Sequence, residues 1–442
     1  MSIESGLAIF AILLAIYGGI GVLLGRWSIT MPMVFVVIGI VIGPHGLSLL
    51  PINPGDEVIR VLTELTLALL LFADASTLDF SRLRHDAGLP LRLLGIGLPL
   101  TMALGALIAL VVFPSQGAGF ALLLAAILAP TDAALGLPIF INPNVPVRIR
   151  RALNVESGLN DGIATPFVTL FIALAVAEEG FRPTAGWLPD ALTQIVLAVI
   201  VGTIVGVIGG KLLEWAHQRE WTSGAPLQFA VLALALTAYL GSLALGGNGF
   251  VAAFIAGIIF GAATRNRLSE SADYTETTGT LLSLFVWTIF GAVFVVPAAL
   301  LAFDWRVIGY AVLSLTLIRM LPVALSLIGL RFRKDTISVM GWFGPRGLAS
   351  VIFGLLAFDA LTAASKEAGL LASVVTWTIL LSVLAHGLSA QPLAAWYARR
   401  LKSAPAAAPE LVEVQEIQVR RDVLLSAAGK ATRAPNDPEQ SN

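Results

Sequence analysis

Cysteine is absent from all 442 residues, and histidine occurs only four times. Disulfides, thiolate metal centres and cysteine nucleophiles are thereby excluded, and little material is left for a transition-metal site. Charge is scarce too: Asp, Glu, Lys and Arg make up 12% of the chain, against roughly 25% in ordinary soluble domains. The formal net charge of −1 provides no basic field for nucleic acid. What is abundant is apolar, with hydrophobic residues at 57% and a mean hydropathy of +0.88. This composition predicts an all-α polytopic membrane protein whose constant partner is the lipid bilayer.

Thirteen spans are predicted, near 7 to 25, 31 to 49, 58 to 77, 91 to 113, 118 to 140, 148 to 177, 189 to 213, 225 to 245, 248 to 264, 279 to 303, 306 to 330, 336 to 358 and 369 to 396. The first follows an acidic start at Glu4 and is long for a signal-peptide core, so it reads as a retained span. Positive charge supports the count. One set of alternate loops holds Arg26; Arg82, Arg84 and Arg92; Arg148, Arg150 and Arg151; Lys211 and Arg219; Arg265 and Arg267; and Arg331, Arg333 and Lys334. The other set shows Arg60, Arg182, Arg306 and Lys366 beside acidic Asp56, Glu57, Glu178, Glu179 and Asp190. By the positive-inside rule the N-terminus lies outside and the C-terminus, with Arg399, Arg400 and Lys402, in the cytoplasm of a cell whose inner membrane holds the protein.

An odd number of spans permits two inverted six-span halves joined by a seventh, which makes the fifth and twelfth spans partners. Both contain helix breakers. The fifth reads Leu128-Ala129-Pro130-Thr131-Asp132, then Gly136 and Pro138; the twelfth reads Gly341-Trp342-Phe343-Gly344-Pro345-Arg346-Gly347. Proline removes a backbone donor and glycine loosens the turn, so two unwound, crossing helices are expected, with free carbonyls and helix ends at the crossing. A packing kink is the bland reading of either break alone.

The sixth span places polar residues at membrane depth. Asn154, Ser157, Asp161 and Thr165 share one helical stripe, and Glu156 and Asn160 a neighbouring one. An ionisable group at that depth usually marks an ion or proton path. A hard monovalent cation needs several oxygens, which the Asp161 carboxylate, the Ser157 hydroxyl and Thr131 could supply, with Asp132 as a second carboxylate. Glu156 needs a cationic partner, and two arginines lie in late spans. Arg319 is favoured as that partner, with Arg346 setting the field near the second break. Asp74, at the inner end of the third span, is either an entrance residue or a solvated interfacial one; Glu64, His45 and His386 receive no role.

Ala129-Pro130-Thr131-Asp132 followed by Glu156-Ser157-Gly158-Leu159-Asn160-Asp161 resembles the paired signature of the cation/proton antiporter-1 family, which includes NhaP-type bacterial antiporters and animal sodium/proton exchangers. Leu69-Leu70-Leu71-Phe72 leading to Asp79, Gly344 to Ser350, and Ala385-His386-Gly387-Leu388 are similar to other blocks of that family, so the resemblance covers nearly the whole membrane part. It implies a thirteen-helix homodimer in which a mobile core moves against a dimerisation domain. By that resemblance residues 1–402 form the transporter, with core helices near 58–177 and 306–396 and dimerisation helices mainly near 7–49 and 189–303. It makes Asp161 the ion- and proton-binding carboxylate, with Ser157, Asp132 and Thr131 holding the cation. Asn160, and Glu156 with its arginine, stabilise the site. Asn160, where charge-moving relatives carry a second Asp, implies electroneutral exchange. Gly162 and Pro130 depart from the family pattern.

Competition at one carboxylate gives the expected mechanism. A proton and a cation bind Asp161 alternately, and an empty, charged site is penalised when its domain crosses the membrane. The expected activity is therefore exchange of one Na+ or Li+ for one H+ by alternating access, without cofactor or enzymatic step. Exchange of K+ on the same scaffold, a cation channel, and an intramembrane aspartyl protease using Asp132 and Asp161 are the alternatives. From Ser403 to Asn442 the Ala- and Pro-rich, charged sequence predicts a mobile cytoplasmic tail, with a short helix at Glu410 to Leu425.

Overall fold

A computed structural model describes residues 3–50, 55–78, 88–178, 186–300, 304–362, 368–403, 405, 408–412 and 414. Asp79, the loop charges Arg82, Arg84, Glu179, Arg182 and Lys366, and residues 415–442 of the tail lie outside the described residues.

Among the described residues the helices form thirteen passes in the expected order. These are α1 (Ile3–Arg26), α2 (Met31–Ile42), α3 (Glu57–Ser76), α4 (Gly88–Val112), the split pass α5a (Gly117–Ile127) and α5b (Leu137–Ile141), and α6 (Val147–Glu178). After the linking α7 (Trp187–Gln218), the second half comprises α8 (Gly224–Ala244), α9 (Gly249–Ala263), α10 (Ser269–Ala299) and α11 (Trp305–Ser326). It ends with the split pass α12a (Lys334–Trp342) and α12b (Leu348–Thr362), then α13 (Ala368–Leu401). Element lengths repeat between the halves: short α2 and α9 have 12 and 15 residues, and long α6 and α13 have 32 and 34. The split passes are likewise the fifth and the twelfth. This is the pattern of an inverted repeat.

One boundary differs from expectation for a local reason. The second span was expected to run to residue 49, but α2 ends at Ile42, before Gly43-Pro44. Proline restrains the residue before it to extended backbone, and Gly43 has ψ 178°. In the fifth and twelfth passes, residues 128–132 and 343–347 are not helical, as their Pro and Gly content predicts.

The largest buried apolar cluster runs from Phe10 of α1 and Leu70 of α3 through Phe120 of α5a and Val155 of α6 to Ile352 of α12b and Val383 of α13, and smaller clusters lie beside it. One buried cluster joins Leu93 of α4, Phe140 of α5b, Leu153 of α6, Val323 of α11, Met340 of α12a and Tyr397 of α13. Another joins Leu69 and Phe72 of α3, Val231 of α8, Phe260 of α9 and Ala272 of α10. α3, which the resemblance groups with the core, packs most closely against α9 and α10 and also meets α6 and α12b. Small residues cause this. A Cβ on Gly257 of α9 would collide with the Phe72 carbonyl, so the two backbones touch where no side chain fits. The Tyr239 hydroxyl of α8 donates to Glu64 of α3 at 2.7 Å, which gives Glu64 its helix-contact role.

The start of the tail, expected to be mobile, is docked. Pro409–Leu411 forms a 3-10 turn in place of the expected helix start, and Glu410 is fully buried. Its Oε1 accepts from the Arg333 backbone N–H and the Thr336 hydroxyl, both at 2.8 Å, while Arg148 of α6 donates to the Pro409 carbonyl at 2.6 Å.

Candidate ion site

Unwinding two helices inside the bilayer frees backbone carbonyls, and each must find a donor within the protein. Several find one among the described residues. Ser350 Oγ donates to Ile127 O at 2.7 Å, and Arg346 donates to Ala129 O and Pro130 O at 3.2 and 3.5 Å. Ser157 Oγ donates to Thr131 O at 2.6 Å. In the twelfth pass, His386 Nε2 meets Trp342 O at 2.9 Å, Arg346 Nη1 reaches Gly344 O at 3.3 Å, and Asp132 N donates to Pro345 O at 2.8 Å. That last bond joins the two breaks directly.

The half-helix ends are compensated by two opposite charges. Asp132 caps the two segments that restart after the breaks: Oδ1 accepts from Ala134 N at 2.8 Å and Oδ2 from Leu348 N at 3.1 Å. A carboxylate at two helix N-termini is favoured by both dipole and hydrogen bond. Gly347 is required beside it, because a Cβ there would collide with the Asp132 carboxyl. Arg346 is fully buried, and its guanidinium donates only to carbonyls among its described partners, where α5a and α12a end. It also reaches Ser314 O at 3.2 Å, at the point where α11 kinks between Leu315 and Leu317. A cation suits the negative end of a helix dipole.

Against this crossing lies α6. Asn160 Nδ2 donates to Thr131 Oγ1 at 2.6 Å, so Ser157 and Asn160 together hold both oxygens of Thr131. Glu156, on the neighbouring stripe, is paired in both directions with Arg319: Nη1 to Oε1 at 2.5 Å and Nη2 to Oε2 at 2.9 Å. These two side chains are 2% and 1% exposed, so this is a buried, bidentate ion pair. Gly344 admits it, since a Cβ there would collide with the Arg319 guanidinium. Asp161 stands one helical turn beyond Ser157 and is half-buried, as is Asp132. The α6 stripe and the first break carry hard donors: the Asp161 carboxylate, the second lone pairs of Ser157 Oγ and Thr131 O, and the buried Asn160 Oδ1, which has no hydrogen-bond donor among the described residues. They suit a dehydrated monovalent cation.

Thr165 turns its hydroxyl back to the Asp161 carbonyl at 2.8 Å. Asp74 lies in the last turn of α3, half-buried, on an element outside the crossing. Sequence reasoning missed Ser350, Ser382 and His386. Ser382 accepts from Arg346 N at 2.7 Å, and His386 is buried with its ring stacked 4.8 Å from Trp342. Their signal was faint: small polar residues in apolar helices, opposite breaks far away in sequence.

Two broken helices crossing at membrane depth, with a carboxylate-bearing helix laid against the crossing, define a multi-pass membrane protein of the ion-translocating kind. The chain belongs to the sodium/hydrogen exchanger family, whose transmembrane model matches residues 9–396. It is 26% identical over 369 residues to the K(+)/H(+) antiporter NhaP of Alkalimonas amylolytica, covering 82% of this chain and 62% of that protein. It is 25% identical over 405 residues to a Na(+)/H(+) antiporter of Schizosaccharomyces pombe, covering 81% of this chain and 83% of the other. The fold matches that of the sodium proton antiporter MjNhaP1 from Methanocaldococcus jannaschii with a TM-score of 0.70, at 22% identity, over 89% of this chain and 99% of that one.

Proposed function

We propose that this chain is a secondary transporter that exchanges one monovalent cation, Na+ or Li+, for one proton by alternating access at Asp161. The place of Asp161 carries this reading: it stands one helical turn beyond Ser157, whose hydroxyl donates to the unwound Thr131 carbonyl. Glu156 is neutralised by Arg319, and Asp132 and Arg346 offset opposite helix ends. Asp161 is the carboxylate whose charge changes with occupancy. One proton or one cation neutralises it equally, so the two loaded forms carry the same net charge and the cycle is electroneutral. The empty form carries an extra negative charge at membrane depth, which opposes its crossing and makes exchange obligatory.

In this mechanism Ser157, Thr131 and Asn160 supply oxygens to the cation, while Asp132, Arg346, Glu156 and Arg319 hold the geometry. The moving body is the bundle of α4 to α6 with α11 to α13. The remaining helices, α3 among them, form the support and the face for a second copy in a homodimer. The arginine-rich face, with Arg148, Arg150 and Arg151, is cytoplasmic, which puts the N-terminus outside and the C-terminus inside. Asp74, in the last turn of α3, then stands near the cytoplasmic entrance. Transport requires neither cofactor nor chemical step. Exchange of K+ is the second reading, supported by the name of the Alkalimonas relative.

The test is proton flux into proteoliposomes carrying a pH gradient, with Na+, Li+ and K+ added in turn and the membrane voltage clamped and then released. Cation-dependent flux that ignores voltage is expected. Flux confined to K+ moves the function to the second reading; flux without any counter-cation makes the protein a channel.

A further inference from the structure

From Asp161, α6 continues toward the arginine-poor face for another 17 residues, to Glu178. The polar stripe does not stop at Asp161: Thr165 donates to the Asp161 carbonyl and Thr169 to the Thr165 carbonyl, at 2.8 and 3.1 Å. Thr169 Oγ1 in turn accepts from Asn248 Nδ2 at 2.8 Å, across the boundary between α6 and the supporting helices. Asn248 is held rigidly for this contact. Its backbone N–H donates to Gln194 O of α7 at 3.1 Å, its carbonyl accepts from Ser242 of α8 at 3.2 Å, and its Oδ1 caps α9 by accepting from Val251 N at 3.0 Å. Three helices of the support thus aim one amide donor at the helix that carries Asp161.

Between Asn248 and Asp161 the same boundary is sealed by a ring. A Cβ on Gly162 would collide with Phe254 of α9, so the phenyl group lies directly on the α6 backbone beside Asp161. Gly162 is one of the two positions where the sequence departs from the family signature, and the ring occupies the space that a side chain there would take. Burial agrees: Thr165 and Val168 are 1% and 2% exposed and Phe254 6%, while Asp161 remains half-buried.

We propose that Phe254, packed on Gly162, and the Thr169 to Asn248 hydrogen bond form the closure of the Asp161 site toward the arginine-poor face. This rests on the antiport reading above. The closure consists of one neutral hydrogen bond and one apolar contact, with no ion pair among the described residues, so it is weak enough to open and re-form in each cycle. Opening requires α6 to leave α9, which exposes Asp161 to that face and draws Asn248 away from Thr169.

The absence of native cysteine makes the test clean. In a Thr169→Cys, Asn248→Cys variant reconstituted in proteoliposomes, a short bifunctional thiol cross-linker is expected to abolish cation-coupled proton flux, and reductive cleavage of a disulfide-containing linker to restore it. The cross-linked protein in detergent still releases a proton on adding Na+, because the site itself is intact. Exchange that continues at the uncross-linked rate overturns the closure alone; lack of exchange in the parent protein overturns the antiport reading with it. An independent measurement uses Thr165→Cys, with and without Phe254→Ala. Removing the ring is expected to raise the rate at which an impermeant thiol reagent, added from the arginine-poor face, labels Cys at 165. An unchanged labelling rate contradicts the proposal.

Discussion

Replacing Glu156 by Gln removes the counter-charge of a guanidinium that is 1% exposed. Arg319 is then buried close to a second guanidinium, since Gly344 touches Arg319 with its Cα and Arg346 with its carbonyl. Breaking a buried pair from one side typically costs about 3–5 kcal/mol, mostly the burden of the charge left behind, whereas removing both charges is often nearly neutral. Glu156→Gln and Arg319→Met are each expected to destabilise the protein by about that much. The double variant should fall short of their sum by at least about 2 kcal/mol, the coupling typical of residues in direct contact. The assay is unfolding in mixed micelles by increasing SDS fraction, followed through the nine tryptophans. Costs that add within about 0.5 kcal/mol, the range for independent sites, would refute the reasoning.

Asp132→Ala strips caps from two restarting segments and should cost about 1–4 kcal/mol in the same assay, twice the usual single cap. Gly347→Ala pushes a methyl group into the Asp132 carboxyl and is expected to reduce exchange sharply in proteoliposomes while changing expression little; full activity would show that the crossing tolerates displacement. Glu410→Ala leaves the Arg333 N–H and the Thr336 hydroxyl without their acceptor, so the turn should undock at a cost of about 1–3 kcal/mol. Limited proteolysis then cuts after Lys402 faster than in the parent; equal cutting would mean that Glu410 does not hold the tail.

Much of the fold was legible because the bilayer constrains it so strongly. Hydrophobic length and alternating arginines marked the passes, and Pro130 and Pro345 marked the two that break, since proline acts locally and at once. Glu156 was legible as half of a pair because a lone carboxylate at that depth is too costly. The packing of α3 against α9 was not, because hydropathy is the same toward lipid, core or support. What decides it is where Gly257 and Phe72 permit backbones to touch. Asp132 was legible as a carboxylate at the break, but its acceptance from the N–H of Leu348, 216 residues away, was not. Ser350 and His386 were opaque for the same reason: their partners are carbonyls that exist as free acceptors only after the other helix has broken.

The central claim is that a proton and a cation compete for the Asp161 carboxylate, and proton release in detergent tests it most directly. Purified protein in weak buffer, at a pH where Asp161 is protonated, is titrated with Na+ while a pH indicator records the response; Asp161→Asn is treated alike. The account predicts release approaching one proton per chain from the parent and none from the variant. Equal release from both, or Na+ binding to the parent without release, would contradict it.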